Sequence, residues 1–128
     1  MFGDSHAYSG FAVKDLDAAK RFYGETLGLA VGSAMPGTLD VTLPGGDTHV
    51  FIYGKDDHVP AVFTILNFPV GDVDKAVGDL TGKGIEMARF EGFEQDAKGI
   101  SRDDRGPAIA WFRDPSGNIL SVHSNEGM

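Results

Sequence analysis

The chain has 128 residues and a formal net charge of −8, with 41% hydrophobic and 23% charged residues. This length and composition are typical of one globular domain with a real core. The absence of cysteine excludes disulfides and thiolate metal ligands. The acidic balance argues against nucleic acid as a partner, because phosphate binding needs clustered basic side chains. Since the sequence also lacks a long apolar run and a secretion signal, we expect no membrane partner and a cytoplasmic location.

The sequence contains an internal repeat. Val13-Lys14-Asp15-Leu16 returns as Val70-Gly71-Asp72-Val73, shifted by 57 residues. Each copy follows a segment of strand character, about 7–13 in the first half and 62–70 in the second. A repeat of this length indicates two copies of one structural unit.

A helix is predicted after each copy, because the apolar period changes from two to about 3.6. Asp15 and Asp72 are placed to cap the two helices, and Gly28 and Gly84 are placed to end them. The apolar stripes are Leu16, Ala19, Tyr23 and Leu27 in the first helix, and Val73, Ala76, Val77 and Leu80 in the second.

Each helix is followed by three strand-like runs. They are about Leu29 to Met35, Leu39 to Leu43, Thr48 to Gly54, Ile85 to Glu91, Ala108 to Arg113 and Asn118 to Ser124. Hairpin turns are predicted at Pro44-Gly45-Gly46-Asp47 and at Asp114-Pro115-Ser116-Gly117-Asn118. We therefore expect a single domain over 1–128, with repeat one at about 6–55, a linker at about 55–61 and repeat two at about 62–125.

Two motifs resemble the opening and closing phrases of the vicinal-oxygen-chelate superfamily, which holds glyoxalase I, extradiol dioxygenases and bleomycin-resistance proteins. The first is Val13-Lys14-Asp15-Leu16 followed by Phe22-Tyr23-Gly24-Glu25-Thr26-Leu27-Gly28-Leu29, and the second is Asp114-Pro115-Ser116-Gly117-Asn118. The resemblance implies an α+β fold in which two tandem βαβββ repeats form curved mixed sheets around a cleft. It also implies a homodimer and, in metal-dependent members, a divalent ion held by His, Glu or Gln side chains.

The positions that the resemblance assigns to those metal ligands carry unsuitable side chains. Tyr8 and Ile65 occupy the first-strand positions, Ser121 the last-strand position, and about Val50 the fourth. Two of these residues have no donor atom, and a one-residue slip that brings in His49 adds only one histidine. We therefore expect no metal at the usual site and no cofactor.

A polar wall is predicted beside those positions. Residues two apart on a strand share a face, so His6 would accompany Tyr8, and His123 would accompany Ser121, with Asn67 nearby. Three interpretations stay open: a relocated divalent-metal site with a carboxylate, a ligand-recognising or acid–base pair of histidines, or ordinary strand-end histidines. His6, Tyr8 and His123 are the candidate catalytic residues.

The remaining candidates for ligand binding lie in the second half. Of Trp111 and Phe112, one faces the core and the other is free to stack on a ligand. The long, charged connection from Phe90 to Pro107 is either a binding loop or a solvated surface loop. As a binding loop it would close Phe93 over the cleft and offer Arg102 to an anion.

The resemblance implies a small-molecule binder, similar to bleomycin-resistance proteins, without the usual metal. The alternative is a lyase or isomerase acting on a carbonyl compound or glutathione conjugate, so whether the chain is an enzyme stays open. A vestigial domain within a larger assembly is a third hypothesis. Extradiol dioxygenase activity is the least favoured, because it needs two histidines and a carboxylate on iron.

Overall fold

The computed structural model describes residues 1–33, 35–103 and 106–128 and divides into two compact units, Met1–Pro60 and Ala61–Met128. The fold is α+β, as predicted. No helix in the described ranges is long and apolar enough to cross a membrane. The elements are β1 (Ser9–Val13), α1 (Leu16–Arg21), a π-helical turn (Phe22–Thr26), β2 (Ala30–Gly32), β3 (Thr38–Thr42), β4 (His49–Gly54), β5 (Thr64–Val70), α2 (Val73–Gly82), β6 (Ile109–Arg113) and β7 (Ile119–Ser124).

The first unit contains a four-stranded sheet in the order β1-β4-β3-β2. Strand β1 runs parallel to β4, and the other neighbours are antiparallel. Phe11, Ile52 and Leu39 pair in register across three strands and therefore share one face. The Phe11 ring lies 5.8 Å from the ring of Tyr23 in the π-helical turn. This face is therefore the one that packs against the helix.

The second unit repeats the arrangement with a three-stranded sheet in the order β5-β7-β6. Strand β7 is central, parallel to β5 and antiparallel to β6. Leu120 and Phe112 pair in register and are buried. Helix α2 contacts β6 and β7 and buries Val73, Val77 and Leu80, which matches the predicted apolar stripe.

The predicted helix caps are confirmed in both units. The Asp15 carboxylate accepts the Ala18 amide at 3.0 Å, and the Asp72 carboxylate accepts the Lys75 amide at 3.0 Å. Such side chains satisfy backbone donors that the first helical turn leaves unpaired. Gly28, at the end of the first helical segment, has a φ of +72°, in the left-handed region that glycine tolerates.

The second hairpin is held by the side chain that opens it. Asp114 is 4% exposed, and its Oδ1 accepts the amides of Ser116 and Asn118, each at 2.9 Å. The Asn118 side chain donates to Asp114 Oδ2, also at 2.9 Å. Gly117 supplies the positive φ of +88°. The predicted turn is thus present, and its aspartate and asparagine fix each other.

The predicted strand from Ile85 to Glu91 is wrong. Only Ala88 makes a bridge, antiparallel to Trp111. Just beyond it, the Phe90 amide donates to Gln95 Oε1 at 2.9 Å. A side chain thus takes the hydrogen bond that would have continued the ladder, and the chain leaves the sheet. The strand predicted from about Leu29 to Met35 is shorter in the structure and covers only β2. Ala34 lies outside the described residues.

The first helix changes its period after six residues. The Leu27 amide donates to the Phe22 carbonyl, five residues earlier, at 2.9 Å, which is the π-helical pattern. Phe22 and Tyr23 are both buried, with their ring centroids 5.1 Å apart. Leu16 and Leu27, at the two ends of the predicted apolar stripe, are only half-buried, and Ala19 and Tyr23 between them are buried.

Candidate functional site

In the second unit, three of the predicted ligand-binding residues form one row across the sheet. Asn67 on β5, Ser121 on β7 and Trp111 on β6 are successive register partners. Residues paired this way point to the same face. Ser121 is fully buried, and its hydroxyl donates to Asn67 Oδ1 at 2.5 Å. Two members of the predicted polar wall are therefore hydrogen-bonded to each other.

Trp111 lies on the face opposite to the helix, and Phe112 lies on the helix side. Both are buried, at 8% and 1% exposure. The Trp111 ring is in contact with Phe93, at a centroid distance of 4.8 Å, and with Phe90, at 5.6 Å. Residues 88–101, here called the covering segment, therefore lie over this indole, while Phe93 itself stays 53% exposed.

The covering segment is held by its own hydrogen bonds. The side-chain nitrogen Nε2 of Gln95 donates to the carbonyls of Ala88 and Gly99, at 2.9 and 2.8 Å. The Arg89 guanidinium donates to the Asp96 carbonyl at 2.8 Å. These bonds close the segment on itself and hold Phe90 and Phe93 against the indole, while most of its side chains stay exposed. Its role as a binding loop stays a prediction.

Arg102, predicted to meet an anionic ligand, already has an anionic partner. Its guanidinium donates to both carboxylate oxygens of Asp74 at the start of α2, at 2.9 and 2.8 Å. Lys98 adds a contact of 3.3 Å to the same carboxylate. Arg102, followed by Lys98, holds the pKa of Asp74 below its usual range. Asp74 already occupies one guanidinium nitrogen, and the role of Arg102 in ligand binding stays a prediction.

The two histidines of the predicted wall lie in different units. His123, on β7, is half-buried, and its Nδ1 lies 2.9 Å from the Ser124 carbonyl oxygen. A carbonyl only accepts, so this contact places the proton of a neutral ring on Nδ1 and leaves Nε2 as an acceptor. His6 is exposed and precedes β1. Their common site stays a prediction.

The residues at the superfamily's metal positions do not suit a divalent ion. Ile65 lies at an irregularity in the pairing of β5, and Ser121 is already bound to a neighbour. Val50 is 4% exposed and on the helix side, so Phe51 takes the place beside Tyr8. Neither Val nor Phe has a donor atom. Within the described ranges, no three His, Asp or Glu side chains gather as a metal site would require.

The first unit contains a polar pair that the sequence analysis did not predict. His49 Nδ1 lies 3.1 and 3.2 Å from the two carboxylate oxygens of Asp40. Their side chains are 44% and 40% exposed. His49 pairs with Thr42, so Asp40 lies diagonally across the strands on the same face. Alternation along β3 and β4 places both side chains on one face, but their contact also requires the observed register of the two strands.

Three aromatic rings lie on the same face as this pair. The Phe51 ring is 6.2 Å from Tyr8 and 6.2 Å from Tyr53. Phe51 pairs in register with Gly10 on β1, where an added Cβ would lie 3.9 Å from the Phe51 ring. Glycine therefore leaves that side of the ring uncovered. We call this set, with Asp40 and His49, the open face.

Comparison with known proteins gives a family and a set of related folds. The family model described as the Glyoxalase/Bleomycin resistance protein/Dioxygenase superfamily matches residues 6–122. A search of curated proteins found no match.

Solved structures match over nearly the whole chain. A glyoxalase family protein from Enterococcus faecalis is 26% identical, with a TM-score of 0.68 and coverage of 97% of this chain and 100% of that one. An antibiotic-binding protein from a Streptomyces species is 24% identical, with a TM-score of 0.67 and coverage of 92% and 94%. Lactoylglutathione lyase from Agrobacterium tumefaciens is 22% identical, with a TM-score of 0.68 and coverage of 97% and 98%. The last two likenesses concern the fold alone.

Proposed function

Since the chain belongs to the glyoxalase/bleomycin resistance protein/dioxygenase superfamily, we propose that it binds a small organic molecule without the divalent ion of the metal-dependent members. The superfamily supplies the first part of this proposal, because proteins of this fold include an antibiotic-binding protein and a lyase. The chemistry of this chain's own residues supplies the second part.

The environment of Ser121 carries the metal-free part of the proposal. Its hydroxyl is fully buried and bound to Asn67 at 2.5 Å. To bind an ion there, the chain would have to break this hydrogen bond and use a weak neutral oxygen, with isoleucine at the first-strand position of the same repeat. The residues at these two metal-ligand positions are thus engaged in hydrogen bonding or are apolar, and do not form a set of metal ligands.

The experiment is a ligand screen with and without a chelator. Untagged protein is analysed for bound metal, and its thermal unfolding is followed against a library of aromatic, cationic and anionic small molecules. We expect far less than one metal per chain and at least one ligand that binds one-to-one, unchanged by EDTA. Stoichiometric metal, whose removal abolishes ligand binding, would overturn the proposal. A broad library without any hit would count against the binding function itself.

A metal-free lyase or isomerase is the second candidate, and the His123 ring favours it. The contact of Nδ1 with the Ser124 carbonyl leaves Nε2 as an acceptor. Replacing His123 by Gln should abolish any isomerase or lyase activity detected on carbonyl substrates, while His6→Gln tests the other histidine. Activity that survives both changes would remove this candidate.

The homodimer and the cytoplasmic location are also proposals. The superfamily membership supports the first, and the absence of a long apolar segment from the sequence agrees with the second. Sedimentation velocity on the untagged chain should give twice the chain mass of 13.6 kDa. A single species at the mass of one chain would contradict the dimer. Recovery of the native protein with membranes would contradict the location.

A further inference from the structure

We propose that the open face of the first unit binds an organic ammonium ion, with His49 as the acceptor of its N–H group and Asp40 as the fixed negative charge. This inference rests on the proposed binding function and assigns it a place and a class of ligand. It depends on the geometry of one polar pair and on the rings beside it.

The first step is the orientation of His49. A carboxylate only accepts hydrogen bonds, so the proton of a neutral imidazole at this pair sits on Nδ1, facing Asp40. The lone pair of Nε2 is then available on the far side of the ring. Both side chains are partly exposed, at 44% and 40%, so the pair is open to solvent.

The charge of the Asp40–His49 pair favours a cation as the ligand. With a neutral imidazole, Asp40 and His49 together carry one negative charge, so a cation that donates to Nε2 gains both a hydrogen bond and an electrostatic attraction. A neutral donor gains only the hydrogen bond, and an anion is repelled. The net charge of −8 on the chain acts in the same direction.

Three aromatic rings lie on the same face as the polar pair. Tyr8 is 68% exposed, Tyr53 is 41% exposed, and the half-buried Phe51 lies between them. Aromatic faces attract cations and also pack against hydrocarbon. Gly10 keeps one side of the Phe51 ring free. An ammonium group attached to a short apolar or aromatic body therefore matches both parts of the open face.

Three small molecules of similar shape separate the contribution of the charge from that of the N–H group. Phenethylammonium has the charge, the N–H groups and the ring, its trimethylammonium analogue lacks the N–H groups, and phenethyl alcohol lacks the charge. By calorimetry, we expect phenethylammonium to bind most tightly and the alcohol least, because only the first uses every feature of the open face. Equal affinity for all three would overturn the inference.

Matched variants locate the site. Asp40→Asn and His49→Phe should each weaken phenethylammonium about tenfold or more, because the first removes the negative charge and the second removes the accepting nitrogen. Asp47→Asn is the control, since it removes the same charge from an exposed residue in the neighbouring turn. An Asp40→Asn protein that melts normally and binds as well as the Asp47→Asn protein would overturn the inference.

The outcome also separates this inference from the proposed function. If the broad library yields a ligand whose binding depends on Asn67 or His123 and not on Asp40, the open face is not the site and the binding function stands. If no member of the library binds and phenethylammonium also fails, both are overturned.

Discussion

The two units share a central strand with a parallel neighbour on one side and an antiparallel neighbour on the other, but their faces away from the helix differ. In the first, the row Gly10, Phe51, Asp40 is flanked by exposed tyrosines and a half-exposed histidine. In the second, Ser121 is fully buried, and Trp111 is buried against Phe90 and Phe93 of the covering segment. The helix sides remain alike, because packing on a helix requires apolar residues in both units. A repeated scaffold thus keeps its core, while the face away from the helix is open in the first unit. In the second unit this face, here called the closed face, is covered at Trp111, although Asn67 stays exposed.

The largest expected effect comes from removing the centre of the closed face. Trp111→Ala should lower the free energy of unfolding by about 3–5 kcal/mol, because the indole packs against Phe90 and Phe93. Tyr53→Ala, on the open face, should change it by about 0.5 kcal/mol or less. Urea unfolding followed by circular dichroism suits both variants, since Trp111 is the only tryptophan. Equal losses would mean that the two faces do not differ in packing.

A smaller effect is expected from loosening the cover itself. Gln95→Ala removes the partners of the Phe90 amide and of the Ala88 and Gly99 carbonyls. We expect a loss of about 1–3 kcal/mol and faster hydrogen exchange at the Phe90 amide. Glu94→Ala, at the exposed neighbouring position, is the control and should leave both measurements unchanged. Unaltered exchange at Phe90 in the Gln95 variant would contradict the role given to this side chain.

The smallest effect concerns the ion pair that joins the segment after the cover to α2. Arg102, followed by Lys98, lowers the pKa of Asp74 from 3.8. A lowered pKa means that the carboxylate stabilises the folded state above 3.8 and that this contribution disappears as the pH falls through the folded-state value. The groups are exposed, so the contribution is small.

Asp74→Asn should therefore reduce the urea midpoint slightly at neutral pH, and the difference from the unchanged protein should vanish in acid below 3.8. Asp79→Asn, which breaks an exposed pair with Lys75 on the same helix, is the matched control. If the Asp74 variant differs from the unchanged protein by the same amount at every pH, the link to Arg102 is wrong.

The sequence was informative where the structure depends on neighbours along the chain. Asp15 caps its helix through an amide three residues away, and Asp114 holds a turn of five residues. Both arrangements recur with the same residue types in many proteins, because local geometry alone determines them. The repeat, the helices and the hairpins followed from such signals.

The errors and omissions arose where the local structure depends on long side chains or on residues that are distant along the chain. Gln95 ends the pairing begun at Ala88 by reaching back over several residues, which no strand propensity reveals. Asp40 and His49 meet only because β3 and β4 pair in one particular register. The row of Asn67, Ser121 and Trp111 was partly foreseen from alternation, and a cover formed by Phe93 was one of two alternatives that the sequence left open.

The parallel pairing of β1 with β4, and of β5 with β7, has a consequence for synthesis on the ribosome. In each unit the first strand made must wait for the last, since Ser9 pairs with Val50 and Asn67 with Ser121. The earlier unit can close once Gly54 has left the exit tunnel, while the later one lacks its central strand until β7 emerges. Contacts this distant along the chain form slowly. Nascent chains that stop before β7 would thus carry a finished first sheet joined to an unpaired β5.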